Sequence, residues 1–124
     1  MAGLSPTQRT LRMMRQQGRL CAIVERFNPY AGKFGQRNDL FGFIDIICLD
    51  PERGIIGVQS CGQGFSEHNR KILEECTDNA IEWIKSGGVI ELWGWRKVKR
   101  KKGGKAMVWQ PRTKTYTLED FTDD

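Results

Sequence analysis

Apolar residues recur along this chain at two periods, and the switch between them marks out the elements. Ser5-Pro6-Thr7-Gln8 opens a helix: Ser5 suits the N-cap, Pro6 the first helical position, and Gln8 the reciprocal partner of a capping box. Leu11 and Met14 give that helix a modest apolar stripe, and Gly18 supplies a stop after about Gln17. Leu20 to Phe27 reads as a first strand, and Asn28 to Gln36 as a loop by its Pro, Gly and Asn content. The run from Arg37 to Leu49 reads as a second strand, with one carboxylate, Asp45, in its apolar middle. A lone acid on a buried strand is costly unless it is paired, hydrogen-bonded or bound to a metal.

The turn Asp50-Pro51-Glu52-Arg53-Gly54 and the apolar run Ile55–Cys61 complete a hairpin. If Leu49 pairs with Ile55, Asp45 lies opposite Gln59 and Phe43 opposite Cys61. Cys61 then shares a face with Gln59, two residues along the strand. After Gly62-Gln63-Gly64 a second helix is expected with Ser66 as N-cap. Its apolar face is Ile72, Leu73, Cys76, Ala80, Trp83 and Ile84, and Gly87-Gly88 ends it. Val89 to Trp95 alternates as a strand, with Ile90, Leu92 and Gly94 on one side and Glu91, Trp93 and Trp95 on the other. Arg96 to Lys105 reads as a solvated loop or hairpin tip, and Ala106 to Trp109 as a last short strand.

This order predicts an α+β (α/β) domain with an αβββαβ core: a mixed central sheet, flanked by helices, and an added C-terminal strand. The domain is expected over residues 1–118, with 119–124 a frayed acidic tail. At 124 residues the chain suits one core, and no window approaches the roughly 18 apolar residues of a membrane span.

Charge adds a partner to the picture. The net charge is +5, but four acids crowd the last six residues, so residues 1–118 carry +9. Seven of the 20 basic residues fall between Arg96 and Lys105. Such asymmetry suits a polyanion. The four cysteines are scattered without a C-x-x-C pair, and with a single histidine this argues against zinc and for reduced intracellular thiols. Residues 1–20 carry four arginines and no apolar core, unlike a secretory signal.

An acid on the second strand and a polar pair spaced i, i+2 on the third resemble the PD-(D/E)XK nuclease superfamily, which includes restriction endonucleases and archaeal-type Holliday-junction resolvases. The runs RNDLFGFIDIICLDPERGIIGVQSC and GGVIELWGWRKVKRKK look, more closely, like small resolvase-like proteins of phages and prophages, over about residues 5–110. The resemblance implies a restriction-endonuclease-like core and Mg²⁺- or Mn²⁺-dependent cleavage of branched or duplex DNA. It also implies an intracellular protein and a homodimer. In the superfamily the strand acids hold Mg²⁺ through hard oxygen ligands and a lysine faces the developing charge. Asp45 matches the superfamily Asp; Gln59 stands where Glu is expected, and Cys61 where Lys is expected. A lysine must then come from elsewhere: Lys71, or Arg96 and Lys97 at the end of the Trp-rich strand. Glu25 and Asp39 are candidates for a further carboxylate, Glu25 because its strand neighbours the hairpin. The expected catalytic set is Asp45, Gln59 and Lys71, and the expected metal ligands are Asp45, Gln59 and Glu25. Arg9, Arg12, Arg15, Arg37, Arg96, Lys97, Lys99, Arg100, Lys101 and Lys102 are the expected DNA contacts.

Structural readings stand beside these. Asp45 can be an acid bonded to Arg37 or to a helix N-terminus, Gln59 a satisfied core amide, and Cys48 and Cys61 small core residues. Arg9, Arg12 and Arg15 can form a solvated face. His68 is expected to lie exposed on the first turn of helix two. Trp93 and Trp95 can pack under helices or stack on bases. A nuclease-derived DNA-binding module without turnover is the alternative function, and a regulatory interaction domain a third.

Overall fold

The computed structural model describes residues 3–122. Helix α1 (Pro6–Gln16) begins as its sequence dictates: the Ser5 hydroxyl accepts the Gln8 N–H at 3.2 Å, and the Gln8 side chain accepts the Ser5 N–H at 3.1 Å. Its buried side, Thr10, Leu11 and Met14, lies on one face of a five-stranded sheet. The strands are β1 (Leu20–Ile23), β4 (Ile46–Asp50), β5 (Gly54–Cys61), β6 (Val89–Lys99) and β7 (Met107–Tyr116), in that spatial order. Neighbours are antiparallel except β5 and β6, which run parallel across a helical crossover. The protein is therefore α+β, with a mixed sheet and helices on its faces, as the element order predicts.

The hairpin register is the expected one, from Leu49↔Ile55 to Ile46↔Val58. Side-chain alternation then gives the sheet two cores. Ile46, Cys48, Ile56, Val58, Trp93 and Trp95 meet α1, whereas Cys61, Ile90 and Leu92 meet Ile72 and Ala80 of the crossover. Gly57 lets the crossover approach closely, because a Cβ there would lie 2.7 Å from Ile44 Cδ1 and 3.2 Å from Trp83 Cε2.

Several segments depart from expectation. The first strand ends at Ile23, and Val24 donates the last rung to the Asp45 carbonyl at 2.8 Å. The chain then leaves the sheet: Arg26 and Phe27, expected in the first strand, and Arg37 and Asn38, expected in the second, pair as a separate hairpin, β2 (Arg26–Asn28) with β3 (Gln36–Asn38), around the expected loop. Residues 39–44 curl into a turn closed by Leu40 N–H to the Ile44 carbonyl at 2.9 Å, with Phe41 at φ 56. Asp45 consequently sits at the mouth of β4 rather than in mid-strand, and Phe43 is not in register with Cys61.

The second helix is broken. Helix α2 (Phe65–Arg70) starts after Gly64 rather than at Ser66, a π turn spans Lys71–Glu75, and α3 (Thr77–Lys85) follows. The physical cause is a wide i→i−5 bond, Cys76 N–H to the Lys71 carbonyl at 2.9 Å, which inserts one extra residue in the turn. The basic segment begins as strand: β6 continues to Lys99, and residues 100–106 form the expected tip. Past Gly94, β6 pairs with β7 alone, and beyond the buried Trp95 its Arg96, Lys97 and Lys99 are exposed to water. Finally, Leu118–Phe121 forms a 3₁₀ turn instead of fraying. Thr117 N–H donates to Asp120 Oδ2 at 2.7 Å, and Phe121 packs 6.1 Å from the Tyr116 ring. Residues 123 and 124 lie outside the described residues.

Candidate metal centre

Where the sheet ends, the mouth of β4, the end of β5 and the feet of the β2–β3 hairpin meet. Glu25 immediately precedes β2 and Asp39 immediately follows β3. Carboxylate oxygens from Glu25, Asp39 and Asp45 lie within 4.8 Å of one another. Asp45 is 3% exposed, and its Oδ2 accepts the Ser60 N–H at 2.8 Å and Gln59 Nε2 at 2.7 Å. Arg37, on exposed β3, is not its partner, so the expected alternative of an Asp45–Arg37 pair is absent.

Gln59 lies opposite the acids as the register predicts, but its role differs. Its amide nitrogen donates to Asp45 and, at 3.3 Å, to Asp39 Oδ2, while its Oε1 accepts from Lys71 Nζ at 3.5 Å. An oxygen offered to a metal is thus replaced by a donor that spans two carboxylates. Lys71, at the first position of the π turn, also reaches Asp39 Oδ2 at 3.2 Å. Of the three cations considered as stand-ins for the lysine missing at Cys61, Lys71 is the one at the acids; Lys97 lies over the Trp109 ring, and Arg96 lies exposed on the ribbon.

The electrostatics follow from this packing. Burial pushes the Asp45 carboxyl up to about 8, the adjacent Asp39 adds to the rise, and the Ser60 N–H opposes it. Burial alone would raise Asp39 too, but the bond to Asp45 and the Lys71 ammonium outweigh it, and Asp39 is held below its ordinary value. Cys61 is raised to about 11 by burial and then by Asp45, so it remains a neutral thiol. His68, expected to be exposed, is half-buried, and its Nδ1 has no hydrogen-bond partner. Burial, then Lys71, lowers its pKa.

Three carboxylates whose oxygens lie this close together could hold a divalent metal ion. Glu25 was expected among the metal ligands and Asp39 only as a candidate for a further carboxylate; the hairpin that brings the two together was not foreseen. His68 carried no sequence signal beyond its being the chain's single histidine.

The remaining cations gather elsewhere. Arg9 stacks 4.0 Å from the Trp109 ring centroid and Lys97 lies 5.3 Å from it, so α1 and the β6–β7 ribbon meet at this side chain. Arg12 is exposed on α1, and Arg15 donates to the Cys21 carbonyl at 3.2 Å. Lys99 is exposed on the ribbon, and Arg100, Lys101 and Lys102 at its tip. Trp93 and Trp95 are buried with their indole N–H groups bonded to Glu91 and Thr10, so both pack rather than present a face. Among the described residues no helix is long and apolar enough to cross a membrane. Compared with family models, curated proteins and solved structures, the chain matches none.

Proposed function

We propose that this protein is a metal-dependent DNA endonuclease of the PD-(D/E)XK type, acting on branched or duplex DNA. One observation carries the reading. Lys71 arrives from the helical crossover at the acids Glu25, Asp39 and Asp45, and so supplies the cation that Cys61 cannot. The three carboxylates would hold Mg²⁺ or Mn²⁺, which when bound acidifies water and takes a phosphate oxygen. Lys71, bonded to Asp39, would supply the positive charge for a phosphate held there. Gln59 fixes the relative orientation of Asp45 and Asp39, and Cys61, as a thiol, adds no charge. Arg9, Arg12, Arg15 and the basic ribbon supply backbone contacts whose number sets the salt dependence.

The test is incubation with labelled four-way junction, duplex and single-stranded DNA, with and without Mn²⁺. Metal-dependent cleavage that Asp45→Ala abolishes is the expected result, and cleavage at the wild-type rate in that variant overturns the mechanism. The Gln59 amide favours a second reading, because it satisfies two carboxylates without any ion. On that reading the protein binds DNA with steep salt dependence and no turnover, and Gln59→Glu with Cys61→Lys restores cleavage.

A further inference from the structure

The hairpin of residues 26–38 takes no part in either core, yet both of its feet are site acids. Its three rungs, Arg26↔Asn38, Phe27↔Arg37 and Asn28↔Gln36, hold it clear of the main sheet. It carries three basic residues, Arg26, Lys33 and Arg37, and no acid. It also carries three aromatic rings exposed to water: Phe27 at 59%, Phe34 at 85% and Tyr30 at 93%. Phe27 is at least seated, because Gly35, at φ +81, leaves room for its ring; a Cβ there would lie 2.5 Å from Phe27 Cζ. Tyr30 and Phe34 project from the loop with no aromatic neighbour among the described residues, and Lys33 lies over Phe34 at 5.6 Å. At the foot, Ile23, Val24, Glu25, Asp39, Leu40 and Phe41 are among the residues lining a cleft of about 660 Å³. That is within the range of roughly 300–1,000 Å³ that holds small ligands.

We infer that this hairpin is a base-stacking finger: Tyr30 and Phe34 engage unpaired bases of DNA, and Arg26, Lys33 and Arg37 hold the adjoining phosphates. The inference rests on the nuclease reading for what the foot does, but not for the stacking itself. Exposed aromatic faces accept any base, and interleaved cations follow the backbone, which together recognise single-stranded or branched DNA over intact duplex. Positive charge without a single acid argues against a second copy of this basic chain as the occupant. With the rings on the bases, the backbone that continues from them runs down the hairpin to Glu25 and Asp39.

The decisive experiment uses the full chain in EDTA, so that binding is read apart from cleavage. Fluorescence anisotropy with a single strand, a four-way junction and a blunt duplex is compared for wild type and Tyr30→Ala/Phe34→Ala, and 2-aminopurine at unpaired positions reports stacking. Wild type is expected to bind the strand and junction more tightly than the duplex and to quench 2-aminopurine. The double variant is expected to lose roughly tenfold or more on the strand and junction. It should keep duplex affinity and its far-ultraviolet circular dichroism. Equal affinity of wild type and variant for all three probes overturns the inference, as does a uniform loss on all three. A wild-type dimer that becomes a monomer in the variant by sedimentation also overturns it, since the rings would then be buried against a second copy. Ring-dependent stacking without cleavage in Mn²⁺ sinks the nuclease reading alone, whereas cleavage with no ring dependence sinks the finger alone.

Discussion

Among the described residues two carboxylates are buried to nearly the same depth, Glu91 at 6% exposure and Asp45 at 3%, and the fold treats them in opposite ways. Glu91, on β6, is paired with the Arg53 guanidinium, accepts the Trp93 indole N–H at 3.0 Å, and is met by the Thr115 hydroxyl at 3.4 Å. Its charge is matched by a cation from within the chain. Asp45 has a backbone N–H and a neutral amide, and its nearest charged neighbours include two further acids. The one cation nearby, Lys71, is bonded to Asp39 instead. A buried acid that serves the fold is neutralised by the fold; Asp45 is left to take a proton or an ion. On the proposed reading, that contrast separates a structural carboxylate from a site carboxylate.

The contrast can be broken from either side. Asp45→Ala is expected to abolish Mn²⁺-dependent DNA cleavage, whereas Glu91→Ala, assayed on folded protein, keeps it. Next, Lys71→Met should lower cleavage by about a hundredfold, the scale of losing one preorganised charge-stabilising group. Calorimetric Mn²⁺ binding should be retained in that variant, because a cation competing for Asp39 is gone. In urea unfolding, Glu91→Ala should cost about 2–3 kcal/mol, since it strands the Arg53 charge and the Trp93 donor. The loss is held below that of a fully buried pair because the Arg53 side chain is 37% exposed. Asp45→Asn should leave metal-free stability unchanged or raised.

The smallest effect is one of pH. Asp45 binds its proton more tightly folded, at about 8, than at its ordinary 3.8, so its contribution to stability is complete below pH 3.8 and is lost as pH rises through 8. Asp39, held low, acts with the opposite sign, and only as pH falls below its ordinary 3.8. Metal-free Tm should therefore decline from about pH 4 to pH 8 on account of Asp45. Mg²⁺ should recover Tm at pH 8 and do little at pH 5, and Asp45→Asn should flatten this limb.

How much of this the residues announce depends on how local the cause is. The α1 cap and the Leu49↔Ile55 register follow from a capping box and a five-residue turn, both short-range chemistry. The mixed character of the sheet followed from hairpin and crossover rules. The β2–β3 hairpin was hidden because its residues read as continuations of the strands flanking the loop at Pro29, Gly32 and Gly35, and three rungs leave too short a pattern to register as strands of their own. The π turn was hidden because its cause is one shifted hydrogen bond, with no Gly or Pro to mark it. The ribbon's length was hidden because lysines on a solvated strand look like a loop. At the site, Asp45 and Gln59 were legible as neighbours through register alone. The bond of Lys71 to Asp39 depends on how α2 packs over the sheet, which is a tertiary fact.

The feet of the β2–β3 hairpin carry a thermodynamic consequence. Two donors separated along a chain normally lose freedom when an ion draws them together, and the loss is set by closing the loop between them. Here the loop between Glu25 and Asp39 is already closed by the rungs of residues 26–38. An ion held by these acids would meet a chelate whose ring was formed during folding, and its affinity would not be reduced by ordering the chain. The same coupling runs in reverse: melting those rungs, by proline at Phe27 or Arg37, should weaken cation binding although neither residue touches the ion.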